Sequence, residues 1–386
     1  MDKDQILIVG AGPTGLTAAL TLARKGIKSR IIDKCSEPIT TSNALIVQPR
    51  TLELWEDLDI INDALEQGHK VIGADITTKS KTIFKLSYEN LPTRYPFMLA
   101  LWQAKTEQLL TRHLKSLGIE VERNVLLENL IETNDGIDAL CNGQTSHYRW
   151  VIGCDGAKSS ARRLAKISFQ IQKKESSQHF IMADINLDWN KKPNLIHITL
   201  SDDGPFAFFP DNDKGSGRLV IDVSRDKRLK CEKNPTFDDF KMLMKKRCDT
   251  LVTLHEPRWI SSFWIHSNIA KRYKKGPLFL AGDAAHQHSP FGGQGMNIGI
   301  QDAYFLANLL TAVVEGKKNE KELDSYEKVR KSVGENVIRQ SAMMTKIITL
   351  TSKPLQPIRN SLLSIFSHIP YLTHEAAMRL SQLIYR

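Results

Sequence analysis

The sequence is poor in cysteine, with five in 386 residues: Cys35, Cys141, Cys154, Cys231 and Cys248. The number is odd and no two stand as C-x-x-C, so the pattern reads as reduced intracellular thiols and not as a disulfide framework or a zinc site. None of the 11 histidines falls in a ligand pattern, and no metal is expected. No apolar run reaches the roughly 18 residues needed to cross a bilayer. The apolar stretch 6–23 is preceded by Asp2 and Asp4 and broken by glycines, which argues against a secretory leader. A soluble, cytoplasmic chain without stable membrane insertion is expected. Low-complexity linkers and internal repeats are also missing. Lys and Arg outnumber Asp and Glu by 53 to 43, a formal charge of +10. Basic clusters such as Lys271-Arg-Tyr-Lys-Lys275 carry no interleaved aromatic array, so nucleic acid is not the expected partner. The charge reads as a solvated surface that helps to draw in anions. With 41% apolar residues, the chain can bury one large or two modest cores.

What the chain does have is a set of glycine-rich turns, each following a short apolar run. Residues 5–10 read as a buried strand, 11–15 as a turn, and Leu16, Ala19, Leu20 and Ala23 as a helix ended at Gly26. A second strand finishes at Asp33. Gly10, Gly12 and Gly15 therefore form a G-x-G-x-x-G inside a βαβ unit, with an acid 18 residues after the last glycine. Gly10 permits the turn, Gly12 lets a pyrophosphate approach the backbone, and Gly15 lets helix and strand pack. Asp33 can accept the hydroxyls of an adenosine ribose.

A second turn follows the run 150–154, as Asp155-Gly156 with Ser159 and Arg162 after it. Ser159 is placed to cap a helix, and Arg162 to pair with a carboxylate or phosphate. The third follows 278–281: Gly282-Asp283 stops a strand, and a loop holding Pro290, Gly293, Gln294 and Gly295 precedes a helix through Ile298, Ala303, Leu306 and Leu310. Helix starts of this kind present bare N–H groups to negative or polarisable atoms. Between the turns, 178–270 reads as antiparallel strands with a helix near 237–249, and 71–101 as an early part of the same sheet. Residues 119–151 read as strands returning to the nucleotide-binding sheet, with a hairpin at Asn134-Asp-Gly136. Residues 299–348 read as a helix pair, and the basic tail as helices broken at Pro354, Pro357 and Pro370, packed back on the chain or lying on a membrane surface.

The three turns, at 6–33, 150–162 and 278–299, resemble in order and separation the motifs of the class A flavoprotein monooxygenases. This para-hydroxybenzoate hydroxylase-like family includes polyketide hydroxylases and tetracycline-inactivating monooxygenases. The resemblance implies an α/β fold: a Rossmann-like FAD-binding domain (1–70, 100–175 and 271–340), an antiparallel-sheet substrate domain (71–99 and 176–270) and a C-terminal helical segment (341–386). It implies FAD held by Gly10, Gly12, Gly15, Asp33, Gln103, Asp155, Gly156, Gly282 and Asp283. Pro290, Gly293, Gln294, Gly295, Met296 and Asn297 would lie near the flavin ring, where the helix start can support negative charge. One βαβ unit is visible, so NADH or NADPH would bind only transiently to reduce the flavin. Reduced flavin would then add O₂ at C4a, and the hydroperoxide would hydroxylate an aromatic or polycyclic enol. The flavin does the chemistry, and no residue is assigned as catalytic. Phe206, Phe208, His288 and Phe291 are substrate-pocket candidates, although Phe206 and Phe208, on one face of their strand, also read as sheet core. His286 reads as a structural turn residue. Relatives usually place an Arg near position 43. This chain has Asn43, which leaves Arg50 as either an alternative charge or a surface residue. Trp264-Ile-His-Ser does not supply the W-x-W-x-I-P segment of related halogenases. A thioredoxin-like domain is not expected, and the chain is expected to be a monomer or weak dimer. A related FAD-dependent reductase and a non-enzymatic FAD-binding interaction protein remain as alternatives.

Overall fold

The computed structural model describes residues 6–39, 44–78, 81–171, 178–226, 228–229, 234–248, 250–264, 267–289, 292–350 and 352–386. Ile6–Val9 is buried at every position, as expected of a strand covered on both faces. It runs near the middle of a six-stranded sheet ordered Lys274–Lys275, Leu278–Leu280, Trp150–Gly153, Ile6–Val9, Ser29–Asp33, Glu122–Arg123. All neighbours are parallel except the edge strand Lys274–Lys275. Helix α1 (Pro13–Arg24) makes the first crossover, with Pro13 in its first turn, where no N–H is missed. All three glycine-rich turns therefore leave the carboxyl ends of adjacent parallel strands, where ligands bind in sheets of this kind.

An eight-stranded sheet comes from Gly73–Thr78, Lys81–Ser87 and six strands between His179 and Trp264. It is antiparallel except where Leu195–Thr199 runs parallel to Gly73–Thr78, the pair that joins the two sequence segments. One face packs on α6 (Phe237–Arg247), giving a core of Ile181, Phe206, Phe208, Leu219, Ile221, Phe240 and Leu243. Thr236 and Asp239 form a capping box that starts α6.

The expectation for 119–151 holds only in part. Glu122–Arg123 and Trp150–Gly153 join the parallel sheet, but Leu127–Glu132, Ile137–Cys141 and Gln144–Tyr148 form a separate antiparallel sheet. The reason is local: the Thr133 N–H to Gly136 carbonyl bond closes a tight turn that pairs Leu127–Glu132 with Ile137–Cys141.

Strand Ile46–Val47 pairs with Met98–Ala100 and so sets the starts of α2 (Pro49–Asp57) and α4 (Gln103–Ser116) side by side. Helix α3 (Ile61–Gln67) follows α2, and α5 (Ser160–Leu164) follows the second turn. Helices α7 (Gly295–Val314) and α8 (Asp324–Ile348) form the expected pair. The tail holds α9 (Gln356–Ser367) and α10 (Pro370–Leu380), so its helical run is interrupted at the prolines as expected, with Pro357 and Pro370 each in the first turn of the helix that follows the break. Ala377 and Leu383 enter a core with Leu45, Ile46, Tyr88 and Met98, so the tail packs back on the chain. No described helix is long and apolar enough to cross a membrane.

Candidate functional site

At the first turn, Gly15 is required by contact: a Cβ there would meet the Gly10 carbonyl oxygen at 1.9 Å. Gly12 is the opposite case, with open space where a Cβ would stand, beside the uncapped start of α1. Bare N–H groups facing open space make an anion cradle. The Asp33 carboxylate is fixed by the N–H groups of Ala11 (2.7 Å) and Cys35 (2.8 Å). Each oxygen keeps a second lone pair for another donor. Gln103 opens α4 nearby. Its Oε1 accepts the Ala44 N–H at 3.2 Å and its Nε2 donates to Glu107 at 2.9 Å. Burial pushes the Glu107 carboxyl up, opposed by the bond from Gln103.

At the second turn, Asp155 turns inward. It accepts the Ser159 hydroxyl and the N–H groups of Ser160 (2.6 Å) and Ala161 (3.1 Å), so its side chain caps α5. Ser159 in turn accepts the Arg162 N–H at 2.9 Å. Among the described residues Arg162 pairs with no carboxylate. It is buried over the Phe169 ring and donates to the carbonyls of Ala284 (3.1 Å) and Ala157 (3.0 Å), tying the second turn to the third. Gly156, at φ +76°, leaves open space beside the groove.

At the third turn, Leu278–Leu280 leads into a 3-10 turn, Gly282–Ala284. Gly282 has φ +62° and lies so close to Thr14 of α1 that a Cβ would meet Thr14 Oγ1 at 2.6 Å. This contact brings the first and third turns into one groove. The Asp283 carboxylate accepts no hydrogen bond among the described residues. It is crowded by protein on most sides yet open to the groove, and burial pushes its carboxyl up, partly opposed by His286. Beneath it, Asp302 accepts the Gly282 N–H (3.1 Å), His286 Nε2 (2.6 Å) and Arg330 Nε (2.6 Å), all buried. Burial opposes its ionisation, but Arg330 and His286 outweigh it and hold the carboxyl below its ordinary range. Asn297, fully buried at the start of α7, accepts the Gln48 N–H at 2.7 Å and donates to the carbonyls of Ile46 (2.8 Å) and Gly293 (2.7 Å).

A family model described as an FAD binding domain matches residues 3–341. The chain is 32% identical over 362 residues to 6-methylpretetramide 4-monooxygenase of Streptomyces rimosus, spanning 90% of this chain but only 63% of that relative. It is 31% identical over 353 residues to rifampicin monooxygenase of Streptomyces venezuelae, spanning 90% of this chain and 72% of that one. The chain belongs to the class A FAD-dependent aromatic hydroxylase family. Among solved structures of this family, anhydrotetracycline hydroxylase from Streptomyces rimosus matches with a TM-score of 0.80 and 27% identity, over 98% of this chain and 76% of that one.

The groove of this hydroxylase-family chain fits the dinucleotide on its own geometry. It offers an anion cradle at Gly12, an anchored acid at Asp33, and an unpartnered acid at Asp283 at the other end. The start of α7 stands beyond, with Gly295 and the half-buried Met296. His288 Nδ1 donates to the Ser289 carbonyl at 2.9 Å, while Nε2 has no partner among the described residues. Burial, with His286 nearby, pushes His288 down to about 4, so the ring is neutral near pH 7. Its ring lies 3.8 Å from where a Cβ on Gly295 would be, against the start of α7.

Several expected positions fall elsewhere. Phe206 and Phe208 are buried against Trp189 on the α6 side of the eight-stranded sheet, because strand alternation points both into that core. Phe209, on the other face, packs against a different core, the one that holds Leu45 and Ile46. Gln294 turns away from the groove and donates to the Leu380 carbonyl of the tail at 2.8 Å. Arg50 is held by Glu53 at 2.9 Å, so it supplies no free charge. Asn43, Pro290 and Phe291 lie outside the described residues.

Two sets of residues gave no signal as site residues. Gln48 donates through Nε2 to the Gly292 carbonyl (2.9 Å) and accepts the Tyr88 hydroxyl (3.2 Å). Its place just before Pro49, at a helix start, was the one available clue. On the sheet face that carries Phe209, Arg218 makes a bidentate pair with Asp184 (2.8 and 3.0 Å), its guanidinium 4.9 Å from the Trp102 ring and 5.5 Å from the Trp259 ring. Trp102 directly precedes Gln103, so this cluster stands where the sheet meets the groove. Long-range pairing builds it, and no local pattern announces it.

Proposed function

We propose that the protein is an FAD-dependent, NAD(P)H-consuming monooxygenase that hydroxylates an aromatic or polycyclic enol small molecule, in the class of phenols, polyketides and polycyclic antibiotics. One observation carries this reading: three turns far apart in sequence come together at the carboxyl ends of adjacent parallel strands, with Gly282 against Thr14 of α1. FAD, reduced by NADH or NADPH, supplies the electrons that place one atom of O₂ on the substrate and release the other as water. Everything else falls to the chain. Asp33 and the α1 start hold the adenosine half and the pyrophosphate, and Asp283 takes the hydroxyls of the linking chain. The N–H groups at the start of α7 would stabilise negative charge on the flavin ring. Neutral His288 offers a ring nitrogen without adding a charge. The apolar wall of Leu45, Ile46 and Phe209 keeps water away, which prevents loss of reducing power to peroxide.

The test is oxygen uptake by purified protein with NADH or NADPH against a panel of phenols and polycyclic enols, followed by mass spectrometry of product formed under ¹⁸O₂. One labelled oxygen per product molecule is expected. Product that carries no label, or that forms equally well without oxygen, overturns the monooxygenase reading in favour of a reductase. Flavin that neither nicotinamide cofactor reduces favours a binding protein.

A further inference from the structure

The loop Gly292–Gly295 is held on two sides. Toward the groove, Gln48 and Asn297 bond the carbonyls of Gly292 and Gly293. Toward the tail, Gln294 Nε2 donates to the carbonyls of Leu380 (2.8 Å) and Gly292 (3.1 Å). Two carbonyl partners fix which end of the Gln294 amide is nitrogen. Its Oε1 must then receive, and Gln382 Nε2 donates to it at 2.5 Å. That in turn leaves Gln382 Oε1 as an acceptor, and Gln301 Nε2 donates to it. The three amides can run in only one direction, and they end at Gln301 Oε1, which has no partner among the described residues. Gln294, Gln382 and Gln301 are all buried, at 5%, 0% and 3% exposure, so water replaces none of these bonds.

Gln382 also stands at φ +64°, a backbone conformation unusual for a residue with a side chain. A residue held there is over-determined by its surroundings. The rest of the tail end is anchored too. The Arg50 N–H donates to the Ser381 carbonyl at 3.2 Å, and Arg386 pairs with Glu53 and donates to the Pro92 carbonyl at 2.8 Å. Where Gly292 faces the tail, a Cβ would come within 3.2 Å of Leu380 Cδ2.

We propose that Gln382, acting through Gln294 and Gln301, is a positioning residue that sets the ring-facing loop at the start of α7 and thereby the environment of bound FAD. The proposal rests on the reading that this loop faces the flavin ring. The tail then contributes to cofactor geometry without touching the cofactor.

Gln382→Glu in the full chain tests this, because it keeps the size of the side chain but sets a carboxylate against the Gln294 carbonyl oxygen. Gln301→Leu breaks the far end of the relay. Apo protein is titrated with FAD by flavin fluorescence, and the visible absorption of bound FAD is recorded without turnover. Gln382→Glu should weaken FAD about tenfold and shift the flavin absorption. Gln301→Leu should move both in the same direction by less, and the double variant should lose less than the sum of the two. Should Gln382→Glu fail to fold by far-UV circular dichroism, Gln301→Leu and Gln382→Asn carry the test. Wild-type FAD affinity and absorption in the variants overturn the proposal, even where their thermal midpoint falls. Wild-type protein that binds no FAD overturns the ring-facing reading instead.

Discussion

Asp283 is exposed and bonded to none of the described residues, so both carboxylate oxygens are free to accept from a ligand. Asp283→Ala should weaken FAD by about 10- to 100-fold, the range for hydrogen bonds to a charged group. The apo variant should be no less stable than wild type, since this exposed carboxylate makes no hydrogen bond to the described residues. Unchanged FAD affinity would refute the assignment, and a large fall in the apo thermal midpoint would show a structural role. His288 gives a pH dependence of known sign. Its value in the fold is about 4 against an ordinary 6.5, so between those limits the unfolded chain binds a proton that the folded chain does not. Stability is therefore full above pH 6.5 and declines as pH falls toward 4, by up to about 3 kcal/mol. Asp283 works in the opposite sense, because its raised carboxyl relieves the fold as it protonates. His288→Gln should flatten the decline in apo thermal midpoint across this window, and an unchanged slope would assign it to other groups. Asp33 and Asp283 were legible in the sequence because each follows an apolar strand at a turn. Phe206 and Phe208 were misplaced as pocket candidates because alternation says which residues share a face, not which face meets the groove.

At the level of elements, the loop before α7 carries the tightest constraint. Gly293 has φ +62°, and a Cβ there would approach Ile46 Cβ at 3.0 Å. Replacing Gly293 with Val combines backbone strain of about 1–2 kcal/mol with displacement of the Ile46 wall. The variant should still oxidise NAD(P)H but release more hydrogen peroxide and form less product, measured as the ratio of peroxide to NAD(P)H consumed. A wild-type ratio would show that this loop does not wall off the ring. The helices α1, α4 and α7 could be read from their starts, where Pro13, Gln103 and the 292–295 glycines interrupt the apolar pattern. The breaks in the tail were legible as well, because a proline cannot continue a helix from the preceding turn and so marks where one helix stops and the next begins.

Across the whole molecule, the groove is assembled from the parallel sheet, the ends of α1, α4 and α7 and the face of a second sheet, so binding there couples distant parts of the chain. FAD at about 100 times its dissociation constant should add about 2.7 kcal/mol of stability and raise the thermal midpoint by several degrees. No shift on adding FAD would count against the groove. With a formal charge of +10, FAD should associate more slowly as salt is raised, while dissociation changes less; a salt-independent association rate would remove any role for the net charge. The sequence by itself determined the three turns, the strands that lead into them and the positions of Asp33 at the end of a strand and Asp283 just after one. These depend on neighbours within a few residues: an apolar run, glycines where backbone must pass close, and an acid at the strand end. Tertiary structure alone decided that Asp155 caps a helix, that Arg162 ties two turns together, that Arg218 lies between Trp102 and Trp259, and that Gln294 answers to Gln382 and not to the groove. A carboxylate or amide has the same hydrogen-bonding capacity wherever it stands. Which capacity is used depends on what folding brings within about 3 Å of it, from residues 88 positions away in the Gln294–Gln382 pair and 249 in the Gln48–Asn297 pair.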